Sequence, residues 1–286
     1  MRQGRTALVT RPVRVLRDAD RPQVEDALAA DPVSAVFVAG RVAAYGISRW
    51  RLGAQLWGYA PHGTVEGLCF SGANLIPLSV DPEAVSAFGS MAREQGRVCS
   101  SIVGPAAAVL PLWADLAPMW GRPREMRTCQ PLLATAAVPR VPADPAVRRA
   151  TLADFDALLP ACVAMYTEEV GVSPLDWDGG SGYRARVTGL IRAGRCFVRT
   201  EGGEVVFKAE LGAVSRRAAQ VQGVWVRPDR RGEGIATRAM AAVVAAALES
   251  TAPIVSLYVN DYNAPARAVY ERCGFTRVGT FATVLF

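Results

Sequence analysis

Apolar positions along this chain fall into two series, one on each side of a proline- and alanine-rich stretch. That stretch is Ala136-Ala137-Val138-Pro139-Arg140-Val141-Pro142-Ala143-Asp144-Pro145. Its three prolines disfavour helix and cannot donate to a strand ladder, so it reads as a connection with a boundary near Val141. In the second series, Thr151 stands as a cap ahead of a helix through Asp154-Phe155-Asp156-Ala157-Leu158-Leu159 toward Met165-Tyr166. A second helix is expected over Tyr183 to Arg192, after the glycine-rich Asp178-Gly179-Gly180-Ser181-Gly182. The period then shortens. Cys196 to Thr200, Val205 to Leu211 and Ala219 to Val226 read as three strands joined by short polar turns. A long helix from Ile235 to Leu248, a buried strand over Ile254 to Val259, a helix from about Ala264 to Cys273 and a final strand complete the half. An antiparallel meander, a crossover helix and a further strand give an α+β sheet with one parallel pair.

The first series has a similar order. A helix is expected near Gln23 to Ala29, with strands at Val36 to Ala39, Ala54 to Tyr59, Glu66 to Phe70 and Asn74 to Val80. A helix starting near Pro82, a strand over Val98 to Val103 and a helix from about Ala106 follow. The expected organisation is therefore two mixed α/β domains, residues 1–140 and 141–286, which suits a chain of 286 residues.

Composition narrows the function classes. Half of the residues, 51%, are apolar, enough for two buried cores. No run reaches the roughly 20 apolar residues that span a bilayer. The basic opening Met1 to Leu8 has no long apolar region behind it, so a secretory signal is not expected and the protein reads as soluble and cytoplasmic, with no membrane partner. The six cysteines, Cys69, Cys99, Cys129, Cys162, Cys196 and Cys273, form no C-x-x-C pair and read as reduced thiols. With one histidine, His62, in the turn-like Pro61-His62-Gly63, neither a metal site nor a histidine-dependent triad is expected. The net charge of +6 is spread along the chain, and Lys208 is its only lysine. No basic run or zinc-finger spacing points to nucleic acid, whereas an anionic cofactor or substrate fits the excess.

The informative segment is Val221-Gln222-Gly223-Val224-Trp225-Val226-Arg227-Pro228-Asp229-Arg230-Arg231-Gly232-Glu233-Gly234-Ile235-Ala236. A strand stops at Pro228, a loop carrying arginine and glycine follows, and a helix starts. Glycines there let backbone N–H groups converge, and the unpaired N–H groups of the first helical turn favour a negative ligand. Such a loop can cradle linked phosphates, with Arg230 and Arg231 adding charge-assisted contacts, but glycines in a plain turn read equally well. It lacks the G-x-x-x-x-G-K-[ST] of a Walker loop. Nor does it follow the first strand of a βαβ unit, as a dinucleotide fingerprint requires. After the next strand comes Asn260-Asp261-Tyr262-Asn263-Ala264-Pro265-Ala266-Arg267-Ala268-Val269-Tyr270-Glu271-Arg272-Cys273-Gly274-Phe275. Asn263 is placed to cap this helix, Tyr270 lies about two turns along, and Gly274 supplies the stop.

R-x-x-G-x-A after one strand, with N-x-x-A-x-x-x-Y-x-x-x-G-F after the next, resembles the GNAT superfamily of acyl-coenzyme A N-acyltransferases. The resemblance runs from about Val147 to Phe286. It implies acetyl-coenzyme A as co-substrate, a bulged strand matching Gln222 to Val226 that splays from the strand matching Val255 to Val259, and transfer of an acyl group to a primary amine in a ternary complex. By matching positions it implies that Val224, Trp225 and Val226 meet the pantetheine arm. Arg231, Gly232, Glu233, Gly234, Ile235 and Ala236 would hold the pyrophosphate, and Asn263 would contact the cofactor. Tyr270 resembles the family's general acid, its alternative being an aromatic that packs the helix on the sheet. The base is not fixed by the family: Glu210, Glu168 and Glu169 are candidates, each with an ordinary solvated carboxylate as alternative. Trp177 and Tyr183 are candidates to line the acceptor site. The first half looks like a degenerate GNAT-like domain in a tandem arrangement. Asp81-Pro82-Glu83 stands where its phosphate loop would be, so no coenzyme A binding is expected there. The acceptor is a small-molecule, peptide or protein amine, and the protein a monomer or homodimer. A longer acyl donor, or an acyl-coenzyme A sensor or scaffold without turnover, are the alternatives.

Overall fold

The structure is a computed structural model that describes residues 12–176 and 178–286. Two compact units divide between Gln130 and Pro131 and again between Gly279 and Thr280, so Thr280–Phe286 belongs to the first unit. Both dividing points lie inside strands rather than in the proline-rich stretch near Val141.

In the first unit β1 (Val13–Val15), β2 (Gln55–Tyr59), β3 (Gly67–Ser71), β4 (Asn74–Pro77) and β5 (Ser101–Pro105) are adjacent in that order. They pair antiparallel except β4 with β5, which run parallel. Residues 281–285 of the last strand add to β5 antiparallel. Helices α1 (Arg21–Ala30), α2 (Val36–Tyr45), α3 (Arg49–Leu52), α4 (Pro82–Gln95) and α5 (Ala106–Trp120) complete the unit. The expected strand at Val36 to Ala39 is instead the start of α2. A short apolar run does not distinguish strand from buried helix, and here Val36, Val38 and Val42 are all buried while Gly46 at φ +70° ends the helix. Ahead of the proline-rich connection two strands were not anticipated, β1 and β6 (Glu125–Thr135), the second of them eleven residues long.

The second unit contains β7 (Arg148–Arg149), α6 (Phe155–Val170), α7 (Ser181–Arg192), β8 (Cys196–Glu201), β9 (Glu204–Val214), β10 (Ala219–Val226), α8 (Ile235–Ser250), β11 (Val255–Tyr258), α9 (Ala264–Arg272) and the start of β12 (Thr276–Leu285). Its sheet runs from residues 132–135 of β6 through β11, β10, β9 and β8 to β7, antiparallel apart from β10 with β11. This is the expected α+β architecture, a mostly antiparallel mixed sheet flanked by helices. Period-two alternation sends Phe207, Ala209, Leu211, Ala219 and Val221 to one face, where they pack with Ala239, Met240, Val243 and Val244 of α8 and Tyr270 of α9. The opposite face meets Leu158, Leu159 and Cys162 of α6 and Val187 and Ile191 of α7. Thr151 and Asp154 form a reciprocal cap ahead of α6, as the sequence suggested.

Among the described residues no helix is long and apolar enough to cross a membrane, and no cluster of His, Cys, Asp and Glu suits a metal ion. The Met1 to Leu8 opening and Trp177 lie outside the described residues.

Candidate active site

Two irregularities in β10 shape the second unit. First, its parallel pairing with β11 consists of Ala219 with Val255 and Gln220 with Ser256. No further pairs join the two strands, so β10 from Val221 onward presents an open edge on that side. Second, Gln222 pairs with Glu210 and Trp225 with Lys208, so Gly223 and Val224 together oppose the single residue Ala209 of β9. This is a β-bulge, and Gly223 adopts φ +60°, a left-handed conformation that a side chain disfavours. A bulge leaves an extra residue unpaired and locally disrupts the ladder.

The loop beyond β10 prepares a site for negative charge. Arg231 is extended, Gly232 and Gly234 have φ of +86° and +76°, and α8 begins at Ile235 with no side chain capping it. Carbon atoms added at Gly232 or Gly234 would meet nothing within 4 Å, so these glycines serve the backbone turn and leave the approach clear. The first N–H groups of this sixteen-residue helix have no side-chain cap, and the helix dipole favours an anion there. This geometry fits the pyrophosphate of coenzyme A. The first unit differs: the carboxylate of Asp81 accepts a hydrogen bond from the Ala84 N–H at 2.9 Å, placing a fixed negative charge at the start of α4.

The loop arginines are already engaged. Arg231 donates through Nε to the Val226 carbonyl at 3.0 Å and through Nη2 to Glu168 at 2.8 Å. Arg230 is held by Glu233 at 2.9 Å and by Glu201, and both partners raise its pKa. Glu233 therefore sits as the counter-charge of Arg230, a position in which it would repel phosphate. Glu168 also accepts from the Trp225 indole at 3.2 Å, so Trp225 turns into the α6 side of the sheet while Val224 and Val226 lie against the α8 side. Asn263 caps α9, its side chain accepting from the Ala266 N–H at 3.1 Å.

Tyr270 is buried on α9, edge-on to Phe275, and no hydrogen bond joins its hydroxyl to the described residues. Burial, then the charge of Glu169, then Cys273, raise its pKa above the ordinary value, so it holds its proton throughout the neutral range. Glu169 is exposed at the end of α6. Tyr183 donates to the Cys162 carbonyl at 2.9 Å and stacks edge-on against Tyr166.

Glu210 differs from the free base that the sequence offered. It is 2% exposed and bonded to Lys208 Nζ at 2.5 Å and Arg186 Nη1 at 3.2 Å, with the Cys162 thiol 3.8 Å away. Burial pushes its pKa up, but the charges of Lys208 and Arg186 outweigh that and hold it below the ordinary range. A carboxylate pinned between two cations is a weak proton acceptor. Lys208 and Arg186 were not among the residues singled out as functional. The signal was available: Lys208 and Glu210 are two apart on an apolar strand and so share one buried face.

Residues 163–275 match the acetyltransferase (GNAT) family, and residues 54–158 match a domain of unknown function, DUF4081. Solved structures match over nearly the whole chain. A GCN5-related N-acetyltransferase from Sphaerobacter thermophilus has 16% identity and a TM-score of 0.58, covering 96% of this chain and 95% of that one. A tandem GNAT protein from the clavulanic acid biosynthesis pathway has 16% identity and a TM-score of 0.51, over 96% and 98% of the two chains. A Drosophila protein has 14% identity and a TM-score of 0.68, over 97% and 99%. At these identities the likeness is one of fold. No curated protein matches the chain.

Proposed function

Starting from the match of residues 163–275 to the acetyltransferase (GNAT) family, we propose that the protein transfers an acetyl group from acetyl-coenzyme A to a primary amine. The observation that carries this reading is the continuity of two features: the bulge at Gly223 and Val224 on an open strand edge, and the uncapped start of α8 one loop later.

Acetyl-coenzyme A supplies a thioester carbonyl for an amine to attack. Backbone N–H groups at the α8 start, with Arg231, hold the linked phosphates. The open edge of β10 from Val221 to Val226 offers backbone partners to the amide-bearing arm, and Asn263 borders it. N–H groups at the bulge face the carbonyl oxygen as it gains negative charge. Tyr270 keeps a proton available to the departing thiolate. Glu169, whose charge already acts on Tyr270, is the base we favour for the incoming ammonium, directly or through water. The α6 and α7 side, with Tyr183 and Tyr166, borders the amine.

Calorimetry with coenzyme A and acetyl-coenzyme A, followed by thiol release across an amine panel, tests the proposal. Binding with turnover supports it, and binding without turnover for any amine leaves a sensor. Absence of binding at millimolar concentration overturns it.

A further inference from the structure

The second unit keeps one feature that the chemistry above does not use. Lys208, the only lysine in the chain, has 1% of its side chain exposed. Its partner Glu210 is equally buried, and Arg186 of α7, 43% exposed, completes the cluster. The cluster holds two cations and one anion.

A buried ion pair is a poor stabiliser, because removing two charges from water cancels most of their attraction, and apolar residues of similar size often do as well. Its position is more informative than its existence. A carbon added at Gly223 would lie 3.0 Å from Lys208 Nζ, 3.0 Å from Met165 Cε and 3.4 Å from the Glu210 carboxyl carbon. The ammonium is thus packed directly beneath the bulge. Lys208 also pairs with Trp225 and Glu210 with Gln222, so the two charged residues flank Gly223 and Val224 in register.

We propose that Lys208, held by Glu210 and Arg186, is a positioning residue for acyl transfer: it fixes the bulge and biases its electrostatics toward negative charge. This rests on the acetyltransferase reading above. As the C–N bond forms, the carbonyl electron pair moves onto oxygen, and it returns when the C–S bond breaks and the thiolate leaves. The buried Lys208 ammonium, closer to Gly223 than the Glu210 carboxyl carbon, favours the state with that extra charge over the ground state, and the half-exposed Arg186 offsets the charge of Glu210. Glu210 orients Lys208 and takes no proton.

The experiment compares Lys208→Met with the double variant Lys208→Met/Glu210→Met, using acetyl-coenzyme A calorimetry, thermal melting and steady-state kinetics. The single variant leaves the buried Glu210 carboxylate with Arg186 in place of two cations and is expected to melt lower. The double variant removes both charges and should recover most of that loss. In both, kcat is expected to fall at least tenfold while the Kd for coenzyme A changes less than threefold. Hydrogen exchange of the peptide spanning Gly223–Trp225 should speed up in both, a readout independent of turnover. A double variant that melts like the parent and turns over like it overturns the inference and leaves the acetyltransferase reading intact. So does unchanged exchange at the bulge. A parent protein that binds no coenzyme A overturns both.

Discussion

The indole N–H of Trp225 donates to the Glu168 carboxylate at 3.2 Å, tying the bulged strand β10 to the last turn of α6. The same carboxylate holds Arg231, so α6 and the loop ahead of α8 share one anchor. Both partners of the Arg231 pair are nearly half exposed, and pairs of this kind contribute little to stability.

Arg231→Ala removes a guanidinium poised at the phosphate loop. Charge-assisted hydrogen bonds are worth about 1.5–3 kcal/mol, so coenzyme A should bind at least about tenfold more weakly. Pantetheine, which lacks the pyrophosphate, should not distinguish variant from parent. Calorimetry with both ligands decides; an equal loss for pantetheine would mean that the arginine acts by holding the fold.

Tyr270→Phe deletes a hydroxyl that makes no hydrogen bond to the described residues, in a ring that packs against Phe275. The melting temperature and the coenzyme A affinity should both stay within error of the parent. Loss of a general acid typically costs a factor of about 10² to 10⁴ in kcat. Undiminished turnover would make Tyr270 a packing residue only.

Gly223→Ala places a methyl group against Lys208 and Met165 at φ +60°. The left-handed conformation alone costs about 1–2 kcal/mol. A lower melting temperature is expected together with lower kcat. A variant as stable and active as the parent would show that the bulge can be redrawn freely.

Asp154 bonds Arg148 and the Thr151 N–H, and the Arg148 hydrogen bond chiefly holds its pKa far below the ordinary range. A carboxylate lowered on folding stabilises fully above its unfolded pKa, about 3.9, and the gain is lost as pH falls through the lower folded value. Asp154→Ala should therefore cost about 1–2 kcal/mol at pH 7, in the range of a lost cap, and less as the pH is taken below 3. Melting curves at both pH values test the sign; a penalty that grows on acidification contradicts it.

Burial raises the thiol pKa of Cys162 and Cys273 to about 11 and of Cys196 to about 12, and also raises Cys69 and Cys99. All five are buried, whereas Cys129 is half-buried. Iodoacetamide at pH 8 should label Cys129 first in the native protein and reach the other five only with unfolding. Mass spectrometry of the labelled peptides reads the order.

The sequence alone determined the strand–loop–helix order around Arg231-Gly232-Glu233-Gly234, the cap at Asn263 and the placement of Tyr270 two turns beyond it. These are local properties: glycine conformations, capping side chains and the 3.6 and 2.0 periods act over a few neighbouring residues. The same locality explains why Val36 to Ala39 reads as a strand yet belongs to a helix, since a short apolar run does not say which neighbours will bury it. Only the tertiary structure decided that Glu210 is pinned by Lys208 and Arg186. Arg186 comes from a helix 24 residues away along the chain. It likewise decided that β10 parts from β11 after two residue pairs and that Gly223 sits over an ammonium. A side chain's charge partners and a strand's open edge depend on which distant segments fold beside them, and that information is not carried by spacing along the chain.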